Sequence, residues 1–188
     1  TLSGNFVGFR GGGLHASCTS SAHTRLVGCS VVGNEADEGT GGLSAGDSGM
    51  VVRDSIISGN DGDSYYYSEE LDDTVAAGVA NSLIGHSGTT ADDAVGDPSL
   101  LDSSNIVATS DGDTPTALAD ILDTTLAWNG GPTPDHDLVS GSPAIDAVPT
   151  ANCDLTVDQR GTERPQGDAC DMGSVEFASS AVEPETFT

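Results

Sequence analysis

The sequence predicts an all-β parallel β-helix of about three to four coils, closed by a C-terminal cap. The first observation behind this is a recurring motif: TLSGN (1–5), LVGCSVVGN (26–34), VVRDSIISGN (51–60) and VANSLIGH (79–86). The glycines closing these copies, Gly4, Gly33, Gly59 and Gly85, lie 29, 26 and 26 residues apart, and such periods mark units that bury their apolar faces against their neighbours. The second observation is that the apolar clusters are short, rich in Val and Ile and bounded by Gly, which suits strands and not helices. The third is composition: 25 of 188 residues are Gly and only 4% are aromatic, as expected for many short strands separated by turns.

Residues 1–100 supply the coils, open at the N-terminal end. Overlaying the copies puts Val27, Val52 and Val79 in one column, Val32, Ile57 and Ile84 in a second, and Val31, Ile56 and Leu83 in a third. In a parallel β-helix each column becomes a pile of like side chains ~4.8 Å apart. GGGL at 11–14 and GGL at 41–43 repeat with a spacing of 29. Asn5, Asn34 and Asn60 follow the repeated Gly, with His86 in the fourth copy; Asn tolerates left-handed turns, and stacked amides can bond to one another. Cys29 overlays Asp54 and Asn81. Residues 101–128 form an acidic insertion in which Leu118, Ile121, Leu122 and Leu126 have helical spacing, predicting one short helix capped near Thr116. Residues 129–177 read as the cap, with Trp128 beside a tight turn and Ser142–Asp146 as a short strand, and 178–188 as a tail or linker.

Charge excludes several partners. Five basic residues, all Arg, stand against 30 acids, 22 of them Asp, for a net charge of −25. Phosphate recognition needs a basic footprint, so nucleic acid is not a partner, and neither is an anionic membrane surface. No apolar run approaches the ~18 residues of a membrane span. The acidic bias fits either a saline habitat, where self-repulsion is screened, or calcium binding.

From position 81 the motifs NSLIGH (81–86), GDPSLL (96–101), NGGPTPDHDLVSGSPAIDA (129–147) and DQRGTERPQGDACDMGSVEF (158–177) follow in order. Together they resemble the C-terminal module of choice-of-anchor Q proteins, a group of right-handed parallel β-helix repeat surface proteins with a pectate-lyase-like solenoid; the match spans roughly residues 1–177. The resemblance implies a secreted, cell-surface protein without an established reaction. The acidic insertion after GDPSLL departs from that pattern, and no sorting signal is recognisable after AVEPETFT.

Candidate functional residues fall into four sets. Arg160 and Arg164 are the only basic residues beyond Arg53 and share their motifs with Asp146, Asp158, Asp171 and Glu176. Bidentate pairs between them would lock the cap, and binding of an anionic sugar is the functional alternative. The four cysteines form two close pairs. Cys153–Cys170 would close the loop around DQRG and contribute on the order of 3 kcal/mol, while Cys18–Cys29 leaves a free buried thiol as its alternative. Asp61/Asp63 and Asp111/Asp113, each flanking a Gly, could offer oxygens to Ca2+; no other cofactor is called for, and a solvated acidic surface is the competing account. Tyr65, Tyr66 and Tyr67 interrupt the repeat and could bind a sugar or a protein pocket.

No catalytic constellation emerges. Lysine is absent, Arg10, Arg25 and Arg53 fall in different columns, and Asp54 is the only acid in the overlaid strands. His15, His23, His86 and His136 have no Ser or Cys partner in the sequence pattern. The expected function is therefore a non-enzymatic extracellular surface component, a fibre, stalk or adhesin, that contacts other copies or upstream chain through its N-terminal coil. The alternative is a lyase, a glycoside hydrolase or a binding module acting on cell-surface polysaccharide.

Overall fold

The computed structural model describes residues 1–17, 24–46, 49–62, 68–76 and 78–178. Twelve strands of two to four residues are present: β1 Leu2–Ser3, β2 Phe6–Val7, β3 Leu14–Ala16, β4 Thr24–Val27, β5 Ser30–Val32, β6 Glu35–Ala36, β7 Leu43–Ala45, β8 Met50–Arg53, β9 Ile56–Ser58, β10 Val79–Ala80, β11 Leu83–Ile84 and β12 Ile106–Val107. The helices are short: α1 Asp73–Ala76, α2 Ala91–Val95 and α3 Leu118–Ile121, with 3₁₀ turns at Pro98–Leu100 and Thr150–Asn152.

These strands do not form the all-β solenoid that the repeat predicts. They divide among four separate small sheets, in the orders β1-β5-β9-β11-β12, β10-β8-β4, β2-β6 and β3-β7, and every pairing is parallel. Two of the sheets stop at two strands. Where a third would follow, the chain offers only the single bridges Glu35↔Asp61 and Leu43↔Leu71, and residues 73–76 turn helical. From Leu122 onward the bridges are isolated and antiparallel. The acidic, Gly-rich segments between the apolar clusters are too poor in β-branched residues to extend the strands.

The repeat periods reappear as register offsets, but shifted from the expected columns. Leu26, not Val27, lies beside Val52, whose other neighbour is Val79. Leu2, Val31, Ile57, Ile84 and Val107 form one line across the five-stranded sheet, and Ser30, Ile56, Leu83 and Ile106 form the next. Cys29 shares its line with Ser55, whose hydroxyl accepts its N–H at 3.1 Å, and not with Asp54. Gly28, Asp54 and Asn81 instead share a left-handed conformation (φ 57, 52 and 49°). Backbone geometry sets the register there, and only Gly, Asn and Asp adopt it readily.

Both faces of the five-stranded sheet are buried, which the paired apolar residues of each copy require. Val31, Ile57 and Ile84 join Leu26, Leu43, Val52, Val79 and Val75 on one side. Val32, Ile56 and Leu83 meet Ile121, Leu122, Leu138, Val148, Met172 and Val175 on the other. The C-terminal block thus packs against a sheet face. Within it, Ser142–Asp146 is a turn and not a strand, because Ile145 N–H bonds back to the Ser142 carbonyl and Asp146 has φ 52°. Helix α3 lacks a side-chain cap at Ala117, and Trp128 is 71% exposed instead of folding inward.

A buried polar line runs beside this core. Asn5 Nδ2 donates to Asn34 Oδ1 (2.8 Å), Asn34 Nδ2 to Asn60 Oδ1 (2.8 Å), and Asn60 Nδ2 to Glu70 Oε2 (2.6 Å). The second amide protons of Asn34 and Asn60 go to the carbonyls of Leu2 and Val31. The fourth place belongs to Glu70, not His86. Glu70 is fully buried, and burial pushes its carboxyl up to about 7, against the donors Asn60 and Gly59 that pull it down.

Two predictions arise. Because both sheet faces are covered, Ile56→Ala and Ile57→Ala should each cost ~2–5 kcal/mol in urea unfolding; a cost below ~1 kcal/mol for Ile56→Ala would show that the C-terminal block does not cover that face. Glu70 titrates near 7 folded and near its ordinary 4.5 unfolded, so between these values the native state holds a proton that the unfolded state has released. Stability must therefore fall as pH rises from 4.5 to 7, by on the order of 2–3 kcal/mol from this group, and urea midpoints of Glu70→Gln should show a flatter slope across that interval.

Candidate functional site

The titratable and nucleophilic groups concentrate where β1, β5 and β8 meet the C-terminal block. The Cys153–Cys170 disulfide (Cα–Cα 6.0 Å) ties residues 17 apart in that block. Arg160 approaches Asp135 through Nε (3.1 Å) and Nη2 (2.6 Å), and Nη2 also donates to Asp137 at 2.8 Å. The Asp135 side chain has no exposed surface. Burial pushes its carboxyl up, but donors from Arg160 and Asn129 outweigh that and hold it below the ordinary Asp value. Such a fork-on-fork pair is worth most when desolvated and fully bonded.

Arg164 pairs with buried Glu176 (2.9 Å) and donates to the carbonyls of Asp171 (2.8 Å) and Gly173 (2.6 Å). The remaining acids of the expected set accept backbone N–H groups and no guanidinium. Asp158 receives Arg160, Thr162 and Glu176 N–H; Asp171 receives Asp146 and Phe177 N–H; Asp146 receives Ala169 N–H. Burial raises Asp171 to about 6. Arg160 therefore uses Asp135 and Asp137, which the sequence reading did not single out although both lie in the quoted PTPDHD segment. Carboxylates that hold turns and carboxylates that hold an arginine carry the same letter, and only the fold separates them.

A hydroxyl and carbonyl seam joins this block to the first strands. Ser174 N–H and Oγ bond Ser30 Oγ at 3.0 and 3.1 Å, and Gly173 N–H bonds the Asp54 carbonyl at 2.8 Å. Gly173 has φ +99°, a conformation that strains any L side chain, and a Cβ there would also come within 2.9 Å of Ile56 Cδ1 and Ser30 Oγ. Asp54, 4% exposed, has Oδ1 without a close hydrogen-bond partner among the described residues, as has Arg164 Nε, and burial raises the Asp54 carboxyl against the Asp154 N–H and Asn81 side chain that pull it down. The Arg25–Asp154 pair at 2.5 Å is exposed and contributes little.

His136, 3% exposed, has Nε2 2.7 Å from Ser3 Oγ and Nδ1 2.8 Å from the Asp123 carbonyl oxygen. A carbonyl only accepts, so Nδ1 bears a proton, and in the singly protonated tautomer the Nε2 lone pair is left facing the Ser3 hydroxyl. Ser3 also lines a groove of about 350 Å³ with Thr1, Leu2, Asn5, Leu126, Thr133, Pro134 and Gln159. This pair is separated by 133 residues, so no local sequence signal could have revealed it.

The other candidates do not converge. Cys29 is a half-buried thiol whose pKa is raised by burial, and Cys18, with the expected Cys18–Cys29 bridge, lies outside the described residues. Asp63, Tyr65, Tyr66 and Tyr67 also lie outside them. Asp61, Asp111 and Asp113 are exposed, and Asp111 Oδ1 accepts from Ala91 N–H and Thr109 Oγ1. Among the described residues no group of three or more His, Cys, Asp or Glu could hold a metal ion, and no helix is long and apolar enough to cross a membrane.

Arg160→Ala would strand the Asp135 carboxylate inside the protein. We expect a loss of ~3–5 kcal/mol, read as a lower melting temperature and urea midpoint, with Arg160→Lys intermediate because ammonium cannot reproduce the fork. An unchanged melt for Arg160→Ala would refute the clasp. Compared with known proteins, the chain matches no family model, no curated protein and no solved structure.

Proposed function

We propose that this protein is an extracellular structural or adhesive component that associates with a second copy of itself along the open edges of β1, β2, β3 and β4. One observation carries the reading. Each of these strands ends its sheet, with no further strand paired to its outer side among the described residues, and such edges are templates for pairing with another chain. Phe6 and Phe9 stand 64% and 60% exposed on and beside β2, where a soluble surface would carry charge. The amide line points the same way: it terminates at exposed Asn5, whose side-chain carbonyl has no partner among the described residues.

A second copy is the occupant that the geometry favours. Two copies related by a two-fold axis set edge against edge, and the same patch serves both partners. The opposite edge is less available, because Thr114 and Thr116 N–H groups already bond the carbonyls of Val107 and Ala108 beside β12. The net charge of −25 opposes association at low ionic strength, and salt above ~1 M reduces the Debye length to ~3 Å. The extracellular placement draws on the Cys153–Cys170 disulfide, which persists in oxidising surroundings.

Sedimentation velocity in 0.1 and 2 M NaCl tests this. We expect monomer at low salt, dimer at high salt, and monomer at both for a Phe6→Ser/Phe9→Ser double variant with an unchanged melt. A wild-type monomer in 2 M NaCl at concentrations of ~0.1 mM would overturn the proposal.

A further inference from the structure

We infer that Ser3 and His136 form a nucleophile–base pair that cleaves carboxylic esters bound in the groove beside β1. Nucleophilic serine chemistry needs a hydroxyl within hydrogen-bond reach of a base, a third group that fixes the base's tautomer, and an adjoining space for the acyl carbon. All three are present. The Ser3 hydroxyl lies 2.7 Å from His136 Nε2, and the Asp123 carbonyl, 2.8 Å from Nδ1, holds the proton on the far nitrogen. Ser3 is half-buried and lines the groove, whereas His136 is 3% exposed and held in place behind it. A carbonyl in the third place orients the ring without supplying the charge of a carboxylate, so the base is positioned but weaker than in a full triad.

The groove wall is divided in a way that suits an ester. Leu2, Leu126 and Pro134 offer apolar surface for a short acyl chain, and Asn5, Thr133 and Gln159 offer polar atoms for an alcohol portion. Gln159 Nε2 is already engaged with Thr133 Oγ1 and the Pro134 carbonyl. Asn5 Nδ2 donates one proton to Asn34, so its second and the Thr133 hydroxyl proton are side-chain donors at the groove for an oxyanion. The chain's net charge of −25 and the neighbouring Asp135 and Asp137 disfavour polyanionic substrates, which leaves neutral esters such as an O-acylated sugar.

The chemistry balances with water alone as co-reactant. Ser3 Oγ attacks the ester carbonyl carbon while its proton passes to His136 Nε2. The tetrahedral intermediate then expels the alcohol, which takes that proton, and the acyl group remains bound to Ser3 Oγ. A water deprotonated by Nε2 attacks the acyl carbon, the carboxylic acid departs, and the proton returns to Ser3. Asp123 acts through the ring and is a positioning residue.

The test uses a fluorophosphonate, which phosphonylates an activated serine with release of fluoride, followed by intact-mass measurement and peptide mapping. The native protein should gain one adduct at Ser3 and hydrolyse p-nitrophenyl acetate. Ser3→Ala leaves the buried His136 Nε2 without its hydroxyl partner, so it should melt lower than the parent but remain folded, and it should lose both signals. His136→Gln should label at least ~100-fold more slowly, and urea-unfolded native protein should not label at Ser3. No adduct at Ser3 on the folded native protein, or labelling of Ser3 at the same rate after unfolding, would overturn the inference. Neither readout depends on self-association, so this proposal and the preceding one fail separately.

Discussion

Asn34 and Asn60 each bring four side-chain hydrogen-bonding sites into the buried interior, and each finds all four partners along a single line that ends on the Glu70 carboxyl group. This is a demanding arrangement, since a buried amide that loses one partner costs more than the bond itself contributed. A slip of one residue in β5 or β9 would break several of these bonds at once and would also exchange the two faces of the central sheet. The line therefore fixes the register that the aliphatic residues alone would specify only loosely. It lies directly after Gly4, Gly33 and Gly59, whose left-handed conformations (φ 65, 63 and 72°) turn the chain so that the following Asn points inward.

Much of the local structure was legible. The apolar pairs Val31–Val32, Ile56–Ile57 and Leu83–Ile84 are strands and the repeated Asn residues do bond to one another, but β5 pairs with β9 at an offset of 26 and not at the 25 that separates the first two apolar pairs, while β9 pairs with β11 at 27. Cys153 and Cys170 are bridged. What failed was the step from period to architecture. A repeat records which residues become neighbours but not how many strands each sheet sustains, and the acidic stretches that end β6 and β7 as two-stranded ladders look like ordinary turns in sequence. The column error at Val27 has a similar origin: matching like side chains aligned it with Val52, whereas the backbone aligned Gly28 with Asp54 and Asn81.

The polar site was less legible because its members are brought together only by long-range packing. Two adjacent apolar residues in a strand already imply that both faces are covered, but nothing local says that residues 118–177 provide the second cover. Once they do, Asp135 falls under Arg160 and His136 falls against Ser3. Strand β1 then has two distinct surfaces: a backbone edge unpaired among the described residues and a side-chain face beside the groove. The association and the hydrolysis proposed above would draw on different atoms of Leu2 and Ser3.

The seam between the chain's first strands and its last described segment has a kinetic corollary. Ladder contacts join residues about 26 apart, but Ser30 meets Ser174 across 144 positions and Ser3 meets His136 across 133. Closing such distant segments demands more chain entropy before any contact repays it, which slows the search for the native topology. During that search the apolar outer face of the central sheet stays bare until the remaining third of the polypeptide arrives, so the youngest form of this protein on the ribosome exposes its most adhesive surface before it owns the means to cover it.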